Sequence, residues 1–128
     1  MRLAAPWGCL VDTRLSGRTI LIFEDEPLVA IDISDTFTRA GASVAVARCV
    51  QAARKLVEDD GICAAIVDFG LADAGANELC RRLHQKRVPF VLHSGYAHPV
   101  AFAPPAVIPK PADPKTLVDA VCKLLEAK

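Results

Sequence analysis

Two kinds of hydrophobic pattern alternate along the chain. Short unbroken apolar runs are followed by stretches in which apolar residues return every three or four positions. The first kind reads as strands buried on both faces, the second as amphipathic helices. Thr19-Ile20-Leu21-Ile22-Phe23 is the first strand, and it runs into three acids, Glu24-Asp25-Glu26. Pro27 then suits a helix first turn, Val29, Ile33, Thr36, Phe37 and Ala40 form one stripe, and Gly41 stops it. Leu28, Ile31, Asp32 and Asp35 fall off that stripe. Residues 43–47 read as a second strand and 50–58 as a second helix with Ala53, Leu56 and Val57 inward. Cys63-Ala64-Ala65-Ile66-Val67 is a third strand, ending in Asp68. A third helix covers about residues 76–86, and a fourth strand 88–92 ends at His93-Ser94-Gly95-Tyr96. Val107-Ile108 is a short fifth strand before Lys110-Pro111. Asp113 is a good N-cap with Pro114 behind it, and Leu117, Val121, Leu124 and Leu125 line the last helix.

Strand-helix alternation of this kind predicts an α/β domain: a parallel sheet with helices on both faces and right-handed crossovers. The link between the fourth and fifth strands breaks the rhythm. Residues 98–105 hold three prolines and no helical period, so a loop or single turn is expected there instead of a crossover helix. Residues 1–17 contain Pro6, Gly8 and Gly17 and have no period. They are expected to be an irregular extension ahead of a domain spanning 18–128.

Bulk properties narrow the function classes. The length of 128 residues suits one core. Acids and bases balance at 15 each, which leaves no electrostatic footprint for nucleic acid. No apolar run approaches a membrane span and no secretory leader is evident, so a cytoplasmic location is expected. Five scattered cysteines without a CxxC pair read as reduced thiols. His84, His93 and His98 have no metal-ligand spacing.

The chemistry lies at the strand ends. In a parallel sheet the carboxyl ends share one edge, so Glu24, Asp25, Asp68, Ser94 and Lys110 can converge. Clustered carboxylates repel one another, and a hard cation such as Mg²⁺ relieves the repulsion while bridging to phosphate oxygens. A lysine and a hydroxyl opposite complete a phosphate-sized site. No Gly-rich phosphate loop is present, so a nucleotide cradle is not expected. Taken singly, each group has a plainer account: a solvated strand end, a turn-capping serine, a lysine beside a proline.

The ordered set Ile22-Phe23-Glu24-Asp25-Glu26, Val67-Asp68, Ser94-Gly95 and Lys110-Pro111 resembles the response-regulator receiver domains of two-component signalling, over about residues 18–127. The resemblance implies a flavodoxin-like sheet of order 2-1-3-4-5. It implies that Asp68 is the phosphoacceptor. Asp25, Glu24 and the Gly70 backbone carbonyl would join Asp68 in holding Mg²⁺. Ser94 and Lys110 would bind the phosphoryl group, and the Lys110–Pro111 bond would be cis. On this reading the chain is no enzyme beyond its own phosphorylation and dephosphorylation.

The pattern departs from the common receiver at two places. Val107 stands where many members carry a switching aromatic. The Ser94-Gly95-Tyr96 segment and the Pro-rich crossover resemble an atypical subgroup with a weak or absent fourth helix, often paired with HWE-class kinases. Tyr96 is then a candidate moving part, and Leu28, Ile31, Asp32 and Asp35 are candidate contacts for a sensor histidine kinase or phosphotransfer protein. Neither Gly70 nor Tyr96 can orient an attacking water as a carboxylate or amide would, so slow self-dephosphorylation is expected. A monomer or weak homodimer is expected, with no output domain. The alternatives are a receiver segment of a hybrid kinase, or a small Mg²⁺-dependent aspartyl-phosphate phosphatase. The latter usually needs a second acid two residues after the nucleophile, where this chain has Gly70.

Overall fold

A computed structural model describes residues 12–68, 74–94 and 106–127. Five strands and four helices follow in the order β1 (Thr19–Phe23), α1 (Pro27–Arg39), β2 (Ser43–Ala47), α2 (Val50–Val57), β3 (Ile62–Asp68), α3 (Ala74–Gln85), β4 (Phe90–Ser94), β5 (Ala106–Pro109) and α4 (Pro114–Glu126). The strands form one parallel sheet of order β2-β1-β3-β4-β5. This is the flavodoxin-like arrangement that the motifs imply. The expected loop between β4 and β5 falls on residues 95–105, outside the described residues.

Strand alternation divides the core into two layers. Leu21, Phe23, Ala65, Val67, Phe90 and Leu92 face one way, against Ala53 and Val57 of α2 and Leu79 and Leu83 of α3. Ile20, Ile22, Ala64, Ile66 and Val91 face the other, against Ile33 and Phe37 of α1 and Leu117, Val118 and Val121 of α4. The three inner strands are therefore apolar on both faces along most of their length and turn polar at their carboxyl ends, at Asp68 of β3 and His93-Ser94 of β4.

Helix ends follow the local chemistry. Pro27 opens α1. Asp113 caps α4 by accepting a hydrogen bond from Lys115 N at 3.0 Å. Beyond α1 the chain reverses at Gly41, where φ is +97° and a Cβ would sit 2.6 Å from Ser16 Oγ. Glycine is thus required there both by backbone conformation and by the approach of the N-terminal segment.

That segment is part of the fold from at least Arg14. Leu15 is buried in the α1/α4 layer, its N–H donates to Ala40 O at 2.9 Å, and Arg14 pairs with Asp119 at 2.8 Å.

Candidate functional site

The sheet places its polar groups at the carboxyl ends of β1, β3, β4 and β5. Glu24 and Asp25 follow β1 directly, Asp68 is the last residue of β3, Ser94 the last of β4, and Lys110 follows β5. Register brings them together: Phe23 lies beside Val67, Asp68 beside His93, and Ser94 beside Pro109. The Lys110–Pro111 peptide is cis, as the motif implies. The Lys110 N–H donates to Ser94 O at 2.8 Å, so the two residues share a backbone link.

Lys110 is the hub. Its ammonium donates to Asp68 Oδ1 at 2.6 Å and lies 3.3 Å from Glu24 Oε1. Glu24 is 1% exposed. Its Oε2 accepts from Glu26 N at 3.1 Å, while Oε1 has no hydrogen-bond donor among the described residues; the approach of Lys110 has ion-pair distance without hydrogen-bond geometry.

Electrostatics separate the two buried acids. Burial, then the neighbouring Asp68 carboxylate, pushes Glu24 up to about 7. Burial works upward on Asp68 too, but there the Lys110 hydrogen bond and further donors win, and Asp68 stays below the usual carboxylate range. Burial pulls Lys110 down, and its bond to Asp68 more than offsets that, so it remains a firm cation. One carboxylate is thus held ionised beside a cation while its neighbour sits near the point of proton exchange.

Oxygens of Glu24, Asp25 and Asp68 lie within 4.8 Å of one another. Three carboxylates at that spacing, with one buried Glu24 oxygen lacking a donor among the described residues, suit a hard divalent cation. Mg²⁺ fits this donor set and would be held by Glu24, Asp25 and Asp68. The expected fourth ligand, the Gly70 carbonyl, lies outside the described residues, as does Tyr96.

The expected partner-contact residues are together on α1. Leu28 and Ile31 are 75% and 64% exposed, and Asp32 and Asp35 are exposed on the same helix. A groove of about 390 Å³ runs from Leu28 and Asp32 to Lys110, Pro111 and Pro114. A second of about 400 Å³ lies on the far side of Ile31 and Asp35, towards Val46 of β2.

His93 belongs to none of the motifs in the sequence, yet it lies at the site. It is 3% exposed, and neither ring nitrogen has a hydrogen-bond partner among the described residues. The available signal was its spacing: two residues after Val91, it continues the strand face that packs towards α1 and α4, directly beside Asp68. Burial, then the charge of Lys110, holds the imidazole below its ordinary pKa, against the opposing pull of Asp68.

No family model matches the chain. A segment is 36% identical over 86 residues to the sensor protein TorS of Escherichia coli, covering 66% of this chain and 9% of that protein. The chain thus spans a small part of the curated relative it matches. Among solved structures, a CheY-like response regulator receiver domain protein from Methanospirillum hungatei aligns with TM-score 0.78 at 22% identity, over 88% of this chain and 96% of that one. Response regulator protein TrrA from Thermotoga maritima, solved in complex with Mg²⁺ and BeF, aligns with TM-score 0.73 at 20% identity, over 84% and 99%. No helix among the described residues is long and apolar enough to cross a membrane. The chain therefore has the fold of the response-regulator receiver domain, and the resemblance first carried by four short motifs holds across the whole sheet.

Proposed function

We propose that the chain is a phosphoacceptor receiver of two-component signalling, modified on Asp68 by a sensor histidine kinase or phosphotransfer protein. The observation that carries this reading is the 2.6 Å contact of Lys110 with Asp68 beside two further carboxylates. An ionised, oriented carboxylate is a nucleophile. Asp68 attacks the phosphorus of a phosphohistidine, the N–P bond breaks, and its electron pair stays on the donor imidazole. Lys110 follows the new charge onto a phosphoryl oxygen, and Ser94 donates its hydroxyl to another. Mg²⁺ would be held by Glu24, Asp25 and Asp68, with the Gly70 carbonyl as the further ligand that the resemblance implies, and would supply charge neutralisation. The modified form then shifts a conformational population, with Tyr96 as the moving aromatic in place of Val107. The chain turns over no separate substrate, works in the cytoplasm, and is a monomer or weak homodimer.

The donor docks on α1. Leu28 and Ile31 form an exposed apolar ridge with a groove on either side, and Asp32 and Asp35 flank it. A helical partner covering that ridge would reach Asp68 from the Lys110 side. A receiver segment within a larger sensor protein is the second reading, favoured by the match to part of TorS; HWE-class kinases are the candidate donors on the first.

Intact mass after incubation with acetyl phosphate and Mg²⁺ tests the chemistry. One added phosphoryl group is expected on the parent, and none on Asp68→Asn or with chelator. An unmodified parent that is folded and binds Mg²⁺ would instead indicate a partner-binding module without phosphorylation.

A further inference from the structure

We infer that His93 is a positioning residue that shortens the life of the aspartyl phosphate by donating a hydrogen bond to the Asp68 oxygen left behind when Lys110 moves. The inference rests on the receiver reading above and adds a group that reading does not use.

Three observations place His93 in this role. It is the register partner of Asp68 on the neighbouring strand, so their side chains leave the sheet on the same face. It is buried, and neither ring nitrogen has a hydrogen-bond partner among the described residues. It also lines the same groove as Lys110. A buried imidazole without a partner is unfavourable, because its polar nitrogens lose their water and gain nothing in return. An apolar side chain would fill that space in the resting state without this penalty. The ring therefore holds an unused donor and an unused acceptor beside the reacting carboxylate.

Phosphorylation creates the missing partner. In the resting state Lys110 occupies Asp68 Oδ1. Once Asp68 carries the phosphoryl group, one carboxylate oxygen bridges to phosphorus and the other becomes a carbonyl. Lys110 is drawn outward to the phosphoryl oxygens, and the carbonyl is left in a largely buried position. The N–H of neutral His93 is the neighbouring donor on that face. In hydrolysis, water adds to phosphorus, the P–O bond to Asp68 breaks, and the electron pair returns to the carboxylate. The protons of the water leave with phosphate and solvent. A donor on the carbonyl stabilises the departing carboxylate and so speeds this step.

The experiment combines one spectrum with one decay rate. Ring ¹⁵N spectra of the parent are recorded before and after beryllofluoride and Mg²⁺. Phospho-Asp68 decay is then followed for the parent, His93→Leu and His93→Gln. The expected result is a His93 N–H that becomes hydrogen-bonded on adding beryllofluoride. With it, decay should slow about 2- to 10-fold in His93→Leu and recover in His93→Gln, whose amide can donate. An adduct that leaves the His93 ring signals unmoved overturns the inference while the receiver reading stands. Parental decay in His93→Leu does the same. If the parent forms no beryllofluoride adduct and gains no phosphoryl mass, the receiver reading itself fails and this inference falls with it. The parent spectra decide the matter even if a variant does not fold.

Discussion

Lys110 and Asp68 meet at 2.6 Å across 42 residues of sequence, with the buried Glu24 3.3 Å from the same ammonium. The cation therefore holds together two carboxylates that would otherwise repel. Lys110→Met is expected to destabilise the metal-free protein by about 1–3 kcal/mol near pH 8, less than for a fully buried pair because the lysine is 28% exposed. Millimolar Mg²⁺ should restore part of the loss by replacing the missing charge. Urea unfolding with and without Mg²⁺ measures both effects.

The two acids respond to pH with opposite sign. Glu24 is raised to about 7, so the folded state binds more protons than the unfolded state between the ordinary carboxylate range and neutrality. Its contribution to stability therefore falls as pH rises through that window. Asp68 is lowered, so its contribution is present above the ordinary carboxylate range and is lost as pH falls through the folded value. Glu24→Gln should consequently raise metal-free stability at pH 8 and leave it little changed at pH 5. Mg²⁺ affinity of the parent should increase as pH rises through about 7, with proton release on binding below that point. Calorimetric titration in buffers of different ionisation heat counts those protons; a pH-independent affinity would contradict the assignment.

Leu15 makes the N-terminal segment a structural part of the domain. It is 1% exposed and packs in the layer that holds Ile33, Phe37 and Leu117. Leu15→Ala is expected to lower stability by about 2–5 kcal/mol with an unchanged denaturant slope. A loss below about 0.5 kcal/mol would mean that the segment is dispensable to the core.

Thiol reactivity should follow burial. Cys80 is buried in the α2/α3 layer, and desolvation pushes its thiol up to about 12. Cys49 is exposed at the start of α2. An alkylating agent should label Cys49 in the native protein and reach Cys80 only after unfolding. Peptide mapping of a time course separates the two, and early labelling of Cys80 would indicate local opening of α3.

The elements were legible where one period dominated. Continuous runs such as Ile20–Phe23 and Ala64–Val67 announce strands covered on both faces, and the α1 stripe through Ile33 and Phe37 faces the sheet as its spacing implies. The site was legible because parallel strands bring their carboxyl ends to one edge, so motif order alone implies proximity for Glu24, Asp68 and Lys110. Leu15 was not legible: a single leucine among polar residues has no period, and its burial depends on the turn at Gly41 meeting Ser16. His93 was passed over for a different reason. Histidine is at home on surfaces, and only the register that sets it beside Asp68 reveals the burial.

The hydrogen bond from Lys110 N to Ser94 O joins the two residues proposed to bind the phosphoryl group into one mechanical part. Neither backbone can shift along the sheet without dragging the other. An insertion or a strand slip in β4 would displace Ser94 and Lys110 together relative to Asp68. Variation that retunes this centre is therefore confined to side chains, and changes in chain length are pushed to the connections that hang from the sheet.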